Sequence, residues 1–385
     1  MDRGMEEQFY RQLQDLPRPR YAFPDLVNPC IDQLNAEYNE WIDTDCRFES
    51  TTAREAHKRH RLTDIAARAF PGLTLEELRP VARFTAFLAI LDDYMDDSGS
   101  HELAKVGERV SKLLSGEEAG EPEPGFYRQV YMIRQDSVRC RMPPHLYRQF
   151  VDSILTLLAG YGDEKQYNAA GRPPPFPVFE LIRRQSSGGV CYAKYLCMQK
   201  DYRLLPDWVL AHPTMLRMHD LVGSIIGYHN DFISLPKELS RKGDVVNLVI
   251  TVQHEFGLSL TDAWHKALEI HDARLAELVR LQGQLPDFGE WQRTAQEYVA
   301  DLGVMVQGVY AWHVKSSGRY VAGAYVEPEH DKDRPSPPAY SYTGLGARRW
   351  PARIVPWLWP LAALVTLAGC LWLLGGTGCV RSRVF

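Results

Sequence analysis

The sequence predicts an all-α fold: a helical bundle around a central cavity, followed by a hydrophobic helix at the C-terminus. Three observations support this. Apolar residues recur at helical spacing over most of residues 22–325, no strand-like alternation persists, and capping signals punctuate the chain.

Residues 1–21 read as an N-terminal extension ahead of the helical domain, 22–325. Asn28-Pro29 precedes an amphipathic stretch that reaches Ile42. Thr74 and Glu77 have capping-box spacing, with Leu73 and Leu78 placed to staple the turn. Pro80 suits the first turn of the next helix, 80–97, which stays apolar until the acidic run Asp92-Asp93-Tyr94-Met95-Asp96-Asp97. Residues 115–125 read as an acidic loop, and Gly171 to Pro177 as a proline-rich one ahead of another helix. Ser259 and Asp262 cap a long helix in which Leu268, Leu275 and Leu278 repeat at helical spacing. In bundles of this kind ligand sites are built from inward-facing side chains.

Composition bounds the function. A hydrophobic fraction of 45% and a charged fraction of 24% over 385 residues provide a sizeable core. The net charge of -5, with no basic stripe, argues against a nucleic-acid partner. Cysteines at 30, 46, 140, 191, 197, 370 and 379 show no C-x-x-C spacing, which implies reduced thiols in the cytosol rather than a disulfide framework or a zinc site. The N-terminus lacks the basic start and apolar stretch of a signal peptide. Oligomeric state is left open by the sequence.

From Ile354 to Val380 the chain carries no formal charge, and about 20 apolar residues suffice to cross a bilayer. Trp350, Trp357 and Trp359 cluster toward one end, where interfacial aromatics are favoured. The expectation is a transmembrane or tail-anchor helix over 354–380. A linker over 326–353, rich in proline and charge, would tether a cytosolic domain to the membrane. Arginines flank both ends evenly and set no orientation. Pro356, Pro360 and Gly375-Gly376 keep open the alternative of a helix docked on the core.

Two polar strings interrupt otherwise apolar helical segments. The first is the acidic run, in which Asp92/Asp96 and Asp93/Asp97 are both i, i+4 pairs, so spacing alone does not choose between them. The second is Asn230-Asp231-Phe232-Ile233-Ser234-Leu235-Pro236-Lys237-Glu238. There Asn230, Ser234 and Glu238 fall at i, i+4 and i+8 and line one helical face with oxygen ligands. Such runs are usually solvated helix ends. Here the acids directly follow the apolar stretch from Phe84 to Leu91, and carboxylates leaving a buried helix need cations or partners. Hard oxygen donors on two facing helices suit Mg²⁺, which commonly shares its shell with phosphate. Pro236 is expected to bend the second helix by depriving the Phe232 carbonyl of its donor. His219-Asp220 and His271-Asp272 lack the further ligands of a metal phosphohydrolase and read as structural.

Taken together, these strings resemble the metal-binding motifs of class I terpene synthases of the single-domain microbial type, with Asp92-Asp93-x-x-Asp96 and the Asn230/Ser234/Glu238 triad in the expected order. The segment from Glu180 to Gly189 resembles that family's helix break. It puts Arg184, 46 positions before Asn230, at the diphosphate-sensor place, Ser187 at the linker and Gly188 at the effector carbonyl. Arg319-Tyr320 resembles the family's late Arg-Tyr pair, and the segment from Gly243 to Val249 matches what usually follows the triad.

The resemblance implies a carbon–oxygen lyase acting on a linear prenyl diphosphate, with three Mg²⁺ ions as cofactor. Asp92, Asp96, Asn230, Ser234 and Glu238 would hold metal. Arg184, Lys237, Arg319 and Tyr320 would bind the diphosphate, and Phe87 and Trp312 would wall the hydrocarbon pocket. Farnesyl diphosphate, cyclised to a sesquiterpene, is the implied substrate; geranyl and geranylgeranyl diphosphate are alternatives. A chain-elongating prenyltransferase would show two aspartate-rich motifs, and a catalytically silent, membrane-tethered diphosphate binder would be expected to have lost ligand positions.

Overall fold

A computed structural model describes residues 13, 15–48, 50–97, 100–240 and 244–320, with the backbone alone described at 92–97, 100–104 and 240. Every regular element among these residues is helical, as the periodicity predicts. Their helices fall within the unit Met1–Tyr340.

Helix α1 (Ile31–Thr44) turns Leu34, Tyr38, Trp41 and Ile42 into the core. Its entry is tied down by Asn28, whose amide donates to the carbonyls of Phe70 at 3.1 Å and Leu73 at 2.7 Å. Helix α2 (Thr51–Arg59) is capped by Ser50, and α3 (Thr63–Ala69) follows. The capping box then forms as predicted: Thr74 N donates to Glu77 Oε2 at 3.1 Å, and Glu77 N donates back to Thr74 Oγ1 at 3.3 Å. Because that box opens the helix, α4 runs Leu75–Asp97 and begins five residues before the expected start at Pro80. Pro80 costs one bond, to the Glu76 carbonyl, near a helix end that is already capped.

Along α4 the residues Leu78, Val81, Phe84, Phe87 and Leu91 are fully buried. After α5 (Ser100–Ser115) and the acidic loop, α6 (Phe126–Arg139) packs against α4. Between them the buried Arg83 is compensated by Asp45 at 2.6 Å and lies 3.7 Å over the Trp41 ring. Helix α7 (Pro144–Ala170) ends on left-handed Gly171, and α8 (Phe176–Ser186) returns along it. The chain breaks at Ser187-Gly188 and resumes as α9 (Gly189–Tyr195), a break where the family resemblance placed one. The short α10 (Asp207–Leu210) leads into α11 (Pro213–Ser240), which continues through Pro236. Then come α12 (Leu248–Phe256), capped by Asn247, and α13 (Leu260–Gln282), capped by Ser259. Helix α14 (Gln292–Ala311) opens into a π turn at Trp312–Ser316.

Helix α11 is the axis of the arrangement, packed against α8, α9, α13 and α14. Behind it Phe179, Tyr228, Phe232, Leu235 and Trp264 form a buried cluster. The Phe232 and Trp264 rings meet edge-on at 4.9 Å. Burying one such phenylalanine is worth about 1.5–3 kcal/mol, so the rotation of α11 about its axis is firmly set. The polar string is thereby held on the other side.

The expected membrane tether is corrected. No helix among the described residues is long and apolar enough to cross a membrane, and 354–380 lies outside them. The long helices bury one apolar stripe but carry charge on the rest: α7, for example, bears Arg148, Asp152, Asp163, Glu164 and Lys165. The membrane-anchored location falls with the tether. Cys30, Cys46, Cys140, Cys191 and Cys197 are free thiols, and Cys370 and Cys379 lie outside the described residues.

Candidate active site

On α11, Asn230, Ser234 and Glu238 succeed one another at one-turn intervals and share a face. Asn230 Oδ1 accepts from Arg183 Nη2 at 2.7 Å, while Nδ2 lies 3.0 Å from His313 Nε2 and 3.0 Å from the Tyr320 hydroxyl. Ser234 Oγ is buried and meets hydrogen-bond geometry with no partner, although its hydroxyl is near enough to Glu238 to favour the carboxylate. Glu238 Oε2 accepts from Asn247 Nδ2 at 2.7 Å. Burial raises the Glu238 carboxyl above its ordinary value, against the pull of Ser234, Arg183, Asn247 and Lys237.

Beneath this face lies an ionic network that the sequence did not reveal. Arg183 on α8 reaches Asp231 at 2.6 Å and Glu164 of α7 at 3.3 Å, and Glu164 in turn accepts from Ser186. Burial works against the Arg183 charge, but Asp231, Glu164 and Glu238 more than restore it, so its pKa stands above the ordinary value. Asp231 also accepts from Leu248 N at 2.9 Å, at the start of α12. Asn247 donates to the Asp231 carbonyl at 2.9 Å as well as to Glu238. One asparagine thus caps α12 and fixes a candidate ligand.

The other predicted residues occupy varied places. Arg184 pairs with half-exposed Asp220 at 2.9 Å, so it is the neighbouring Arg183 that touches Asn230. Gly188 takes φ +75°, and an added Cβ would lie 2.9 Å from Leu88 Cδ1; only glycine adopts this turn without strain. Ser187 Oγ caps the break by accepting from Gly189 N at 3.2 Å and donating to the Gly223 carbonyl at 2.8 Å. Lys237 and Arg319 converge near His60: after burial, the Arg319 and Lys237 charges help push its imidazole down to about 2. Tyr320 stands beside Asn230 and 6.0 Å from the Trp312 ring. Phe87 is fully buried, 5.1 Å from the Phe126 ring, and Trp312 donates to the His60 carbonyl at 3.0 Å. His219 and His271 bond to Tyr298 and Tyr21, in keeping with structural roles.

The backbone of α4 carries Asp92 and Asp96 in its last turns; their side chains lie outside the description. Among the described residues no three His, Cys, Asp or Glu side chains cluster to hold a metal. On α11 the donors are instead an amide oxygen, an unsatisfied buried hydroxyl and a carboxyl raised by burial. A hard divalent cation fits that donor set. Arg183, Asp231, Asn247 and His313 are the site residues that the sequence left without a role. Arg183, Asp231 and Asn247 each lie inside a segment the sequence singled out, and His313 does not.

Residues 83–277 match the profile of terpene synthase family 2, C-terminal metal binding. The chain belongs to the terpene synthase family. In this terpene synthase the matched stretch takes in Asp92, Asp96, Arg184, Gly188, Asn230, Ser234 and Glu238, while Trp312, His313, Arg319 and Tyr320 lie beyond it. The enzyme is similar to germacrene A synthase of Nostoc punctiforme, 24% identical over 299 residues that cover 75% of this chain and 88% of the relative. It is also similar to (+)-T-muurolol synthase of Roseiflexus castenholzii, 27% identical over 292 residues, or 73% and 87% of the two chains. Germacradien-4-ol synthase from Streptomyces citricolor shares the fold, with a TM-score of 0.63, 20% identity, and coverage of 77% of this chain and 98% of that one.

Proposed function

We propose that this terpene synthase ionises farnesyl diphosphate with Mg²⁺ as cofactor and guides the allylic cation to a cyclic sesquiterpene, releasing diphosphate. The observation that carries the reading is the α11 face, where Asn230, Ser234 and Glu238 present oxygen donors and one of them, Ser234 Oγ, is buried without a partner. A buried hydroxyl left unsatisfied costs free energy that a cation would recover. The size of the substrate is supported by the Roseiflexus relative, whose name specifies cyclisation of (2E,6E)-farnesyl diphosphate.

Asp92 and Asp96 from one wall, and Asn230, Ser234 and Glu238 from the other, would hold a cluster of three Mg²⁺ ions, as the family resemblance implies. When bound, Mg²⁺ supplies Lewis-acid stabilisation of the leaving group. The rest falls to the protein. Tyr320 lies beside Asn230, and Lys237 and Arg319 lie near His60; the three would donate charge-assisted hydrogen bonds to the diphosphate as its charge grows. Arg184 would join them by exchanging Asp220 for diphosphate. The Gly188 carbonyl accepts from Tyr192 N at 3.2 Å and keeps a second lone pair that can face the ionising carbon. Phe87 and Trp312 offer aromatic faces of low nucleophilicity to a cation that must be kept from water.

Incubation of the purified protein with farnesyl diphosphate and Mg²⁺, with extracts and headspace analysed by gas chromatography and mass spectrometry, tests this directly. A cyclic hydrocarbon or alcohol supports the proposal. A longer diphosphate would mean chain elongation, and unchanged substrate would mean a silent binder. Parallel incubations with geranyl and geranylgeranyl diphosphate decide chain length.

A further inference from the structure

A carboxamide used as a metal ligand poses a problem of orientation. Its oxygen and nitrogen ends have nearly the same shape, but only the oxygen has a lone pair free for a cation. Something must hold the amide the right way round. Around Asn230 there are three partners, and two of them act in one direction only.

The first is His313. Its Nδ1 lies 3.0 Å from the Val309 carbonyl, and a carbonyl only accepts, so Nδ1 carries the proton. A neutral ring then leaves Nε2 bare, able only to accept, and Nε2 is 3.0 Å from the Asn230 amide. The nearer end of that amide must therefore be NH₂. The second is Arg183, which can only donate and reaches the other end at 2.7 Å, so that end is oxygen. The Tyr320 hydroxyl accommodates either orientation. Two independent partners agree.

They are not equivalent once a cation arrives. Arg183 bonds the oxygen that the metal would use and would share it with the cation through the second lone pair. His313 bonds the opposite end and can stay. Resting on the proposed role of Asn230 as a ligand, we infer that His313 is the positioning residue for that ligand: its imidazole, oriented by Val309, holds the amide so that the oxygen faces the metal side. The fold supports this placement. His313 is buried in the π turn that opens the end of α14, and such turns are often found at functional sites. Its ring also packs against His229, at 5.2 Å, and Tyr320, at 5.4 Å, which hold the imidazole in place.

The test uses Mn²⁺ binding with inorganic diphosphate, followed by electron paramagnetic resonance. His313→Leu removes the acceptor and should weaken Mn²⁺ binding by roughly 10–100-fold, the usual cost of losing an outer-shell partner. His313→Gln can accept through its own amide oxygen and should bind within about threefold of the unaltered protein. In imidazole-¹⁵N-labelled protein, the ring whose signals vanish in His313→Gln should show a protonated Nδ1 and a bare Nε2. That readout holds even if the leucine variant does not fold. A protonated Nε2, or a folded His313→Leu protein that binds Mn²⁺ undiminished, would overturn the inference alone. Failure of the unaltered protein to bind Mn²⁺ with diphosphate would instead remove the functional reading on which it rests.

Discussion

Arg183 Nη2 donates to Asn230 Oδ1 at 2.7 Å, so a guanidinium rests on the oxygen that a metal ion would need. The same arginine neutralises buried Asp231 on the same helix. An amide oxygen has two lone pairs, so cation and arginine can share this one atom while the rest of the Arg183 network stays intact.

Adjacent arginines should then behave differently. Arg183→Leu strands the Asp231 and Glu164 charges in the interior and should cost about 3–5 kcal/mol of stability. Arg184 pairs near the surface with Asp220, so Arg184→Ala should change stability by less than about 1 kcal/mol. Its turnover, however, should fall by about 10²–10³-fold if it meets the diphosphate. Urea denaturation and steady-state kinetics on both variants separate the two roles.

Ser234 gives up little structure on truncation, because its hydroxyl makes no hydrogen bond of good geometry and only lies near Glu238. Ser234→Ala should leave stability within about 1 kcal/mol of the parent and raise the Mg²⁺ concentration for half-maximal activity by about tenfold. Thermal melts and a Mg²⁺ titration read the two effects. A large loss of stability with unchanged Mg²⁺ dependence would argue against a ligand role.

Gly188→Ala meets two obstacles, a backbone at φ +75° and a Leu88 methyl 2.9 Å from the new Cβ. The expected cost is about 1–3 kcal/mol of stability. The Leu88 methyl can rotate aside, so the left-handed backbone is the larger obstacle, and turnover should drop because relieving it moves the break between α8 and α9. Melting temperature and product profile measured on one preparation test this.

Acid sensitivity has a nameable source in His219. Burial and the Lys194 charge push its imidazole down to about 3, while Nε2 bonds the Tyr298 hydroxyl at 2.8 Å. A group depressed in the folded state contributes stability that is whole above its unfolded value, about 6.5, and is lost as pH falls toward 3. His219→Gln should flatten stability against pH over this window by up to about 1.4 kcal/mol per pH unit. Denaturation curves at several pH values would show it, and equal slopes would contradict it.

What the sequence revealed was local. The Thr74/Glu77 box, the Ser259 cap and the break at Ser187-Gly188 are each written within a few residues, and each forms. Pro80 misled because proline is favoured in a first turn, whereas the box upstream starts the helix at Leu75 and leaves Pro80 in the second, at the cost of one bond. The contact between Arg183 and Asn230 is tertiary: which arginine reaches Asn230 depends on how α8 lies across α11. That crossing is made close by Gly223 and Gly227, whose added Cβ atoms would meet Arg184 O at 3.0 Å and Arg183 Cγ at 3.1 Å. His313 meets Asn230 across 83 positions and left no local trace. The apolar tail misled in a different way, because a run of uncharged residues invites a membrane reading that no described helix supports.

Product formation from farnesyl diphosphate by the unaltered protein, a chelator-treated sample and Asn230→Ala is the most direct test of the central claim. The account predicts a cyclic fifteen-carbon product with Mg²⁺, none after chelation, and none from a folded Asn230→Ala protein. Undiminished product from either of the last two would contradict it.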